Sequence, residues 1–173
     1  MGSEGHESEK PGRRVNGAGP RLYHSFMKLT GLTVSDYMTP NPLTVEPQDS
    51  LIHALETMRI RGVRRLPVAV GGVLVGLVTE GDLKRAEPSV LDGSEEEFNR
   101  VMESTPVSRI MVQSPVTVTA DTPLLDAAET LYATKYGALP VVAGDRVMGI
   151  LTDNDMVHAL LDILRAEKGR VSV

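Results

Sequence analysis

The chain has 173 residues, 41% of them hydrophobic and 24% charged, proportions of an ordinary water-soluble globular chain with enough apolar surface for a core. The absence of Cys excludes disulfide and thiolate metal sites, and a net charge of −5 with 3% aromatics and no Trp argues against a nucleic-acid binder. No run approaches the roughly 18 apolar residues of a membrane span, and the N-terminus lacks the apolar core of a secretory signal, so a cytoplasmic location is expected.

Residues 1–20 form a Gly-rich polar leader that cannot bury enough surface to order itself, and Arg13-Arg14 within it reads as a solvated pair. The first folded unit is assigned to residues 21–83, with Arg21 to Leu32 as a short helix or strap. Val34 to Pro42 contains two prolines that force extended or turn geometry. Leu43–Val45 follows as a short strand, and Asp49 or Ser50 caps a helix with Leu51, Ile52, Ala54, Leu55 and Met58 at helical spacing and Gly62 as its stop. Leu66–Val70, the turn Gly71-Gly72 and Val73–Val78 make a hairpin, and a second helix starts after Thr79. Residues 84–106 are a linker in which Ser94-Glu-Glu-Glu97 opens a short acidic helix, its glutamates solvated charges at a favourable helix end.

A second unit, residues 107–165, repeats the first at a constant offset of 73 residues: Val34 meets Val107, Met38 meets Met111, Pro67 meets Pro140 and Asp82 meets Asp155. Roughly a third of the aligned positions are identical, which marks an internal duplication. Here Val116–Val118 is the first strand, and Thr122 caps a helix with Pro123 at its first position. That helix carries Leu124, Leu125, Ala127, Ala128 and Leu131 as a buried stripe and stops at Gly137. Leu139–Val142, the turn Gly144-Asp145 and Val147–Leu151 form the second hairpin. The last helix begins at Thr152 and carries Met156, Val157, Leu160, Leu161 and Leu164, followed by a polar tail, residues 166–173.

Each unit thus reads β-α-β-β-α, an α/β (α+β) architecture. Leu-Pro-Val opens the middle strand, Gly-x-x-Thr-x-x-Asp closes the hairpin (Gly76, Thr79, Asp82; Gly149, Thr152, Asp155), and Met38-Thr-Pro40 stands ahead of the first copy. This combination resembles a tandem pair of cystathionine-β-synthase-type (CBS) domains, a Bateman module, and Asp82 to Leu91 resembles stand-alone bacterial pairs of the acetoin-utilisation regulator type. The resemblance implies two repeats packed as a pseudo-two-fold pair and a disc-like homodimer through the helices at Leu51–Met58 and Leu124–Leu131 and those after Asp82 and Asp155.

A helix N-terminus attracts phosphate, and a carboxylate one turn along can accept two hydrogen bonds from the cis-diol of a ribose. The resemblance implies the ribose role for Asp82 and Asp155 and a phosphate role for Thr79 and Thr152. The same spacing also describes a capping box, and an Asp wholly engaged in capping would be a poor ribose partner. Carried over from the family, the Asp155 site is lined by Pro42, Leu43, Thr44, Arg64 and Arg65, and the Asp82 site by Pro115, Val116, Thr117, Gly137 and Ala138. Arg64-Arg65 matches Gly137-Ala138 across the offset, so a ligand phosphate is expected at the arginines, whose forked geometry suits it; the alternative is a surface Arg pair.

No phosphate-binding loop, nucleophile elbow or paired-histidine zinc motif occurs, and His6, His24, His53 and His158 are scattered, so no catalysis and no required cofactor are expected. The expected function is regulatory: AMP, ADP, ATP or S-adenosylmethionine binds between the repeats and changes how they, or two copies, sit together. The rival is a ligand-free module whose partner is another protein.

Overall fold

The computed structural model describes residues 31–88 and 94–171, so the expected leader and most of the expected strap lie outside the described residues. The first repeat contains β1 (Thr39–Pro40), α1 (Leu51–Arg61), β2 (Arg65–Val70), β3 (Val73–Thr79) and α2 (Glu80–Ala86). A linker helix, α3 (Glu95–Ser104), leads to the second repeat: β4 (Val112–Gln113), α4 (Leu124–Thr134), β5 (Ala138–Ala143), β6 (Arg146–Thr152) and α5 (Asp153–Val171).

Both hairpins form with the expected turns, β2 antiparallel to β3 and β5 to β6, and each has its register shift at the same repeat position, Val68/Ala69 and Val141/Val142. The two hairpins join at Val73 opposite Arg146, giving one six-stranded sheet. Ser50 caps α1 by accepting the His53 N–H at 3.3 Å, and Ser94 caps α3 by accepting that of Glu97 at 3.2 Å.

Several expectations need correcting. Leu43–Val45 and Val116–Val118 are not strands; only Val45 and Val118 make single parallel bridges, to Val68 and Val141. Pro42 and Pro47 flank the first bridge and Pro115 precedes the second, and proline has no N–H with which to extend a ladder. Helix α4 starts at Leu124 without a side-chain cap, because the Thr122 hydroxyl accepts the Thr119 N–H at 3.0 Å instead. It stops at Lys135, which takes the left-handed conformation (φ 58°), two residues before Gly137. Leu125 leaves the expected buried stripe and is 66% exposed.

The two repeats exchange their leaders. Strand β1 pairs with β6 of the second repeat, and β4 pairs with β3 of the first. Val34 is fully buried among Leu124, Leu139 and Leu151, while Val107 is fully buried among Leu51, Leu66 and Val78. The backbone seals both crossings: Val34 N–H donates to Thr122 O and Leu124 N–H to Leu32 O, while Val107 N–H donates to Asp49 O and Leu51 N–H to Thr105 O. A third, central cluster of Leu77, Ala138 and Ile150 lies where the hairpins meet.

The exchange explains the first letter of the repeated motif. A Cβ at Gly149 would lie 2.7 Å from Met38 Sδ and 3.2 Å from Thr39 O, and one at Gly76 would lie 2.6 Å from Met111 Sδ and 3.1 Å from Val112 O. Each glycine is the gap through which the other repeat's leader reaches the sheet. Gly149→Ala therefore lowers stability by about 1–3 kcal/mol, the usual cost of overpacking, and Gly76→Ala does the same. Urea unfolding followed by far-UV circular dichroism measures both.

Candidate ligand cleft

The exchanged leader places Thr39, Asn41, Pro42 and Leu43 beside the start of α5, and between them opens a cleft of about 920 Å³. The segment from Arg61 to Leu66, where α1 ends and β2 begins, forms its second wall. Thr152 to Asp155, with Ile150 and Val157, closes the third side. Of the residues expected at the Asp155 site, Pro42, Leu43, Arg64, Arg65, Thr152 and Asp155 meet here; Thr44 is exposed and does not line the cleft, since the chain turns inward after Leu43 to bury Val45. Arg61 joins the two predicted arginines on the same wall. Its position in the last turn of α1, one helical step before the Gly62 stop, was the available signal.

Thr152 and Asp155 form the expected capping box. Asp155 Oδ2 accepts the Thr152 N–H and hydroxyl, both at 2.7 Å, and the Asp155 N–H donates to Thr152 Oγ at 3.3 Å. Capping therefore engages one carboxylate oxygen, while Asp155 Oδ1 has no protein partner among the described residues. An ionised carboxylate offers about four acceptor positions, so Oδ1 can take both hydroxyls of a diol while the cap stays closed.

The hydroxyl proton of Thr152 already points at Asp155, which leaves it no donor for a phosphate without breaking the cap. The first N–H groups of α5 are also occupied: Asp153 N–H donates to Gly137 O at 3.0 Å and Asn154 N–H to Asp153 Oδ1 at 2.9 Å. Anion recognition in this cleft thus falls to the guanidinium groups rather than to the helix start. Arg65 is the most enclosed of them, its side chain 20% exposed, with Nη2 2.9 Å from Asp153 Oδ2 and Nε donating to Tyr136 O at 3.3 Å. Arg64 is 80% exposed and only loosely paired with Glu80, at 3.9 Å.

Thr79 and Asp82 repeat the box, with Thr79 N–H and hydroxyl donating to Asp82 Oδ2 at 2.8 and 2.7 Å. Here Arg85 also binds Asp82 Oδ1, so both carboxylate oxygens are engaged. The other residues expected at this site are dispersed in character: Pro115 and Ala138 are buried, Val116 and Thr117 exposed, and Gly137 lies beneath the Arg65 guanidinium. A second small hollow, of about 440 Å³, lies between Tyr37 and the face of α5 that carries His158 and Asp162. Burial, then the charges of Asp162 and Asp36, push the Tyr37 phenol above its ordinary value, so it stays neutral there.

This geometry can be set beside known proteins. The sequence profile of the CBS domain matches residues 34–89 and again residues 107–162. The chain belongs to the CBS-domain family. It is 30% identical over 135 residues to a CBS domain-containing protein of Dictyostelium discoideum, covering 76% of this chain and 92% of that one. It is 35% identical over 158 residues to the chloroplastic CBS domain-containing protein CBSX2 of Arabidopsis thaliana, of whose length it spans 66%. A crystal structure of CBSX2 in complex with AMP superposes with a TM-score of 0.63 and 38% identity over 77% of this chain and 98% of that one. A protein described as an acetoin utilisation protein of Vibrio cholerae superposes with a TM-score of 0.66 and 28% identity over 80% and 96% of the two chains. Among the described residues no helix is long and apolar enough to cross a membrane.

One acid in this CBS pair has a clear electrostatic setting. The hydrogen bond and charge of Lys84, 2.9 Å away, and then the Arg64 charge hold the Glu80 carboxyl below its ordinary value of 4.5. A carboxyl whose folded pKa is lowered stabilises the fold above its unfolded pKa, and that contribution is lost as pH falls through the folded value. Glu80→Gln should therefore be less stable than wild type above about pH 4.5, with the gap closing as the solution is acidified. Urea titrations at stepped pH check this; a gap that stays constant would rule out the ionic contribution.

Proposed function

We propose that this CBS pair is a regulatory module that binds an adenine nucleotide in the Asp155 cleft. The observation that carries the reading is a carboxylate with one oxygen held in the cap and the other unpartnered, set in the same cleft as Arg61, Arg64 and Arg65. Oδ1 of Asp155 accepts the ribose diol, the arginines take the phosphates, and Pro42, Leu43 and Val63 supply apolar surface for the base. The AMP complex of CBSX2, similar to this chain over most of the repeat pair, supports the ligand class. Three cations against the carboxylates of Asp153 and Asp155 favour a phosphorylated adenosine over S-adenosylmethionine, whose sulfonium would meet like charge.

Ligand binding to the native state raises its stability, by about 2.7 kcal/mol at a concentration one hundred times Kd. AMP, ADP and ATP are expected to raise the melting midpoint more than S-adenosylmethionine at matched concentration. Asp155→Ala removes the shift. Asp155→Asn can keep the cap through its carbonyl oxygen but turns an NH2 group toward the diol, and weakens binding on the order of 10- to 100-fold. If no adenosyl ligand moves the midpoint, the ligand-free interaction module is the better description.

The output of the switch is assigned to the last helix. Val157, Leu160, Leu161 and Leu164 recur along α5 at helical spacing and are 51%, 54%, 40% and 55% exposed. An apolar stripe of this kind is suited to a partner surface, and we assign it to a second copy of the chain, with Leu125 of α4 as a further exposed contact. Val157 also lines the cleft, so one residue belongs to both surfaces and ties ligand occupancy to the seating of the two copies. Leu160→Asp/Leu164→Asp should convert a dimer, of about twice the 18.7 kDa chain mass, to monomer in sedimentation velocity. A wild-type chain that sediments as monomer at all concentrations rejects the assignment.

A further inference from the structure

The duplicated sequence suggests two equivalent ligand sites, but the first repeat's own arginines act at both of the places where a second ligand would dock. Asp82 Oδ2 lies in the cap and Asp82 Oδ1 in an ion pair with the exposed Arg85, which leaves one acceptor position where a diol needs two. The offset of 73 residues puts His158 in the place of Arg85, and His158 makes no ion pair with Asp155 among the described residues. The two capping boxes are alike, and only one has its outer oxygen neutralised.

The second block sits on the opposite wall. Gly137 is the counterpart of Arg64, which lines the Asp155 cleft, and it belongs by the same offset to the wall of the Asp82 site. The Arg65 guanidinium lies directly on it: a Cβ at Gly137 would stand 2.1 Å from Nη2 and 2.9 Å from Cζ. Tyr136 O and the Asp153 carboxylate hold the guanidinium there. Any side chain at position 137 would exclude Arg65, and the left-handed backbone at that glycine (φ 68°) disfavours one as well. Arg61, Arg64 and Arg65 have Thr134, Gly137 and Ala138 as counterparts, so the forked cations of one wall are missing from the other.

We propose that the chain takes a single adenine nucleotide, in the Asp155 cleft, because Arg65 and Arg85 occupy the Asp82 site from within. This rests on the reading of the Asp155 cleft given above and adds its stoichiometry and the cause of it. Arg65 thereby works on both sides of the pseudo-two-fold: it lines the receptive cleft and plugs the other.

Equilibrium dialysis and titration calorimetry of the full chain with AMP, and with ATP in parallel, test the proposal. The expected result is one nucleotide per chain, lost in Asp155→Ala and kept in Asp82→Ala with Kd unchanged within about threefold. Arg65→Ala/Arg85→Ala clears Asp82 and Gly137 and raises the stoichiometry above one, with the original site weakened by loss of Arg65. Two nucleotides per wild-type chain, or binding that survives Asp155→Ala and vanishes in Asp82→Ala, overturns the inference while leaving nucleotide binding itself intact. A double arginine variant that stays at one site overturns the two arginines as its cause. Should Asp82→Ala fail to fold, the wild-type stoichiometry and its loss in Asp155→Ala decide alone. Absence of any nucleotide binding to wild type rejects the cleft reading and this inference together.

Discussion

The burial of each repeat's leader in the other repeat's core is the constraint from which the remaining architecture follows. Val34 fills a space among Leu124, Leu139 and Leu151, and Val107 fills the matching space in the first repeat. Large apolar side chains in such positions dominate stability, and here they couple the halves into one folding unit. The crossing of the leaders requires a glycine opposite each, brings Pro42 and Leu43 alongside α5, and so creates a cleft whose walls belong to different repeats. The site is a by-product of how the cores are closed.

Duplication alone would make the two clefts alike, yet the cap chemistry shows how little is needed to separate them. The Thr-x-x-Asp box has the same hydrogen bonds in both copies, with distances agreeing within about 0.1 Å. The difference lies one turn on, in Arg85 against His158, and across the cleft, in Arg64-Arg65 against Gly137-Ala138. A charge-assisted pair at Asp82 competes with hydroxyl donors that would otherwise reach it. On the reading proposed above, these side chains, and not the repeated backbone, divide the function between the two grooves.

Much of this was legible in the sequence because it is local. The hairpins follow from apolar runs broken by Gly71-Gly72 and Gly144-Asp145, and the capping boxes from a hydroxyl and a carboxylate three residues apart. The constant offset revealed that the repeats are similar, but similarity does not say which leader joins which sheet; only the family resemblance, which set Pro42 and Leu43 beside Asp155, pointed across the repeats. Leu43–Val45 looked like a strand because β-branched and apolar residues suit one; the prolines around it left a single bridge. Thr122 looked like a cap, but its hydroxyl had a nearer backbone donor at Thr119. Leu125 fell on helical spacing and still faces outward, because such spacing marks a helix face without saying what covers it. Arg61 was missed because the family pattern led to the residues just ahead of Leu-Pro-Val and not to the end of the helix before them.

The exchanged leaders also bear on inheritance. A half cut away from its sibling would lose the plug for its own interior and carry a plug with no socket, so single repeats of this design are poor candidates for independent life. Recombination can pass the pair on whole, or swap one half for another whose leader fits. Within that indivisible unit, selection remains free to rewrite one groove at a time.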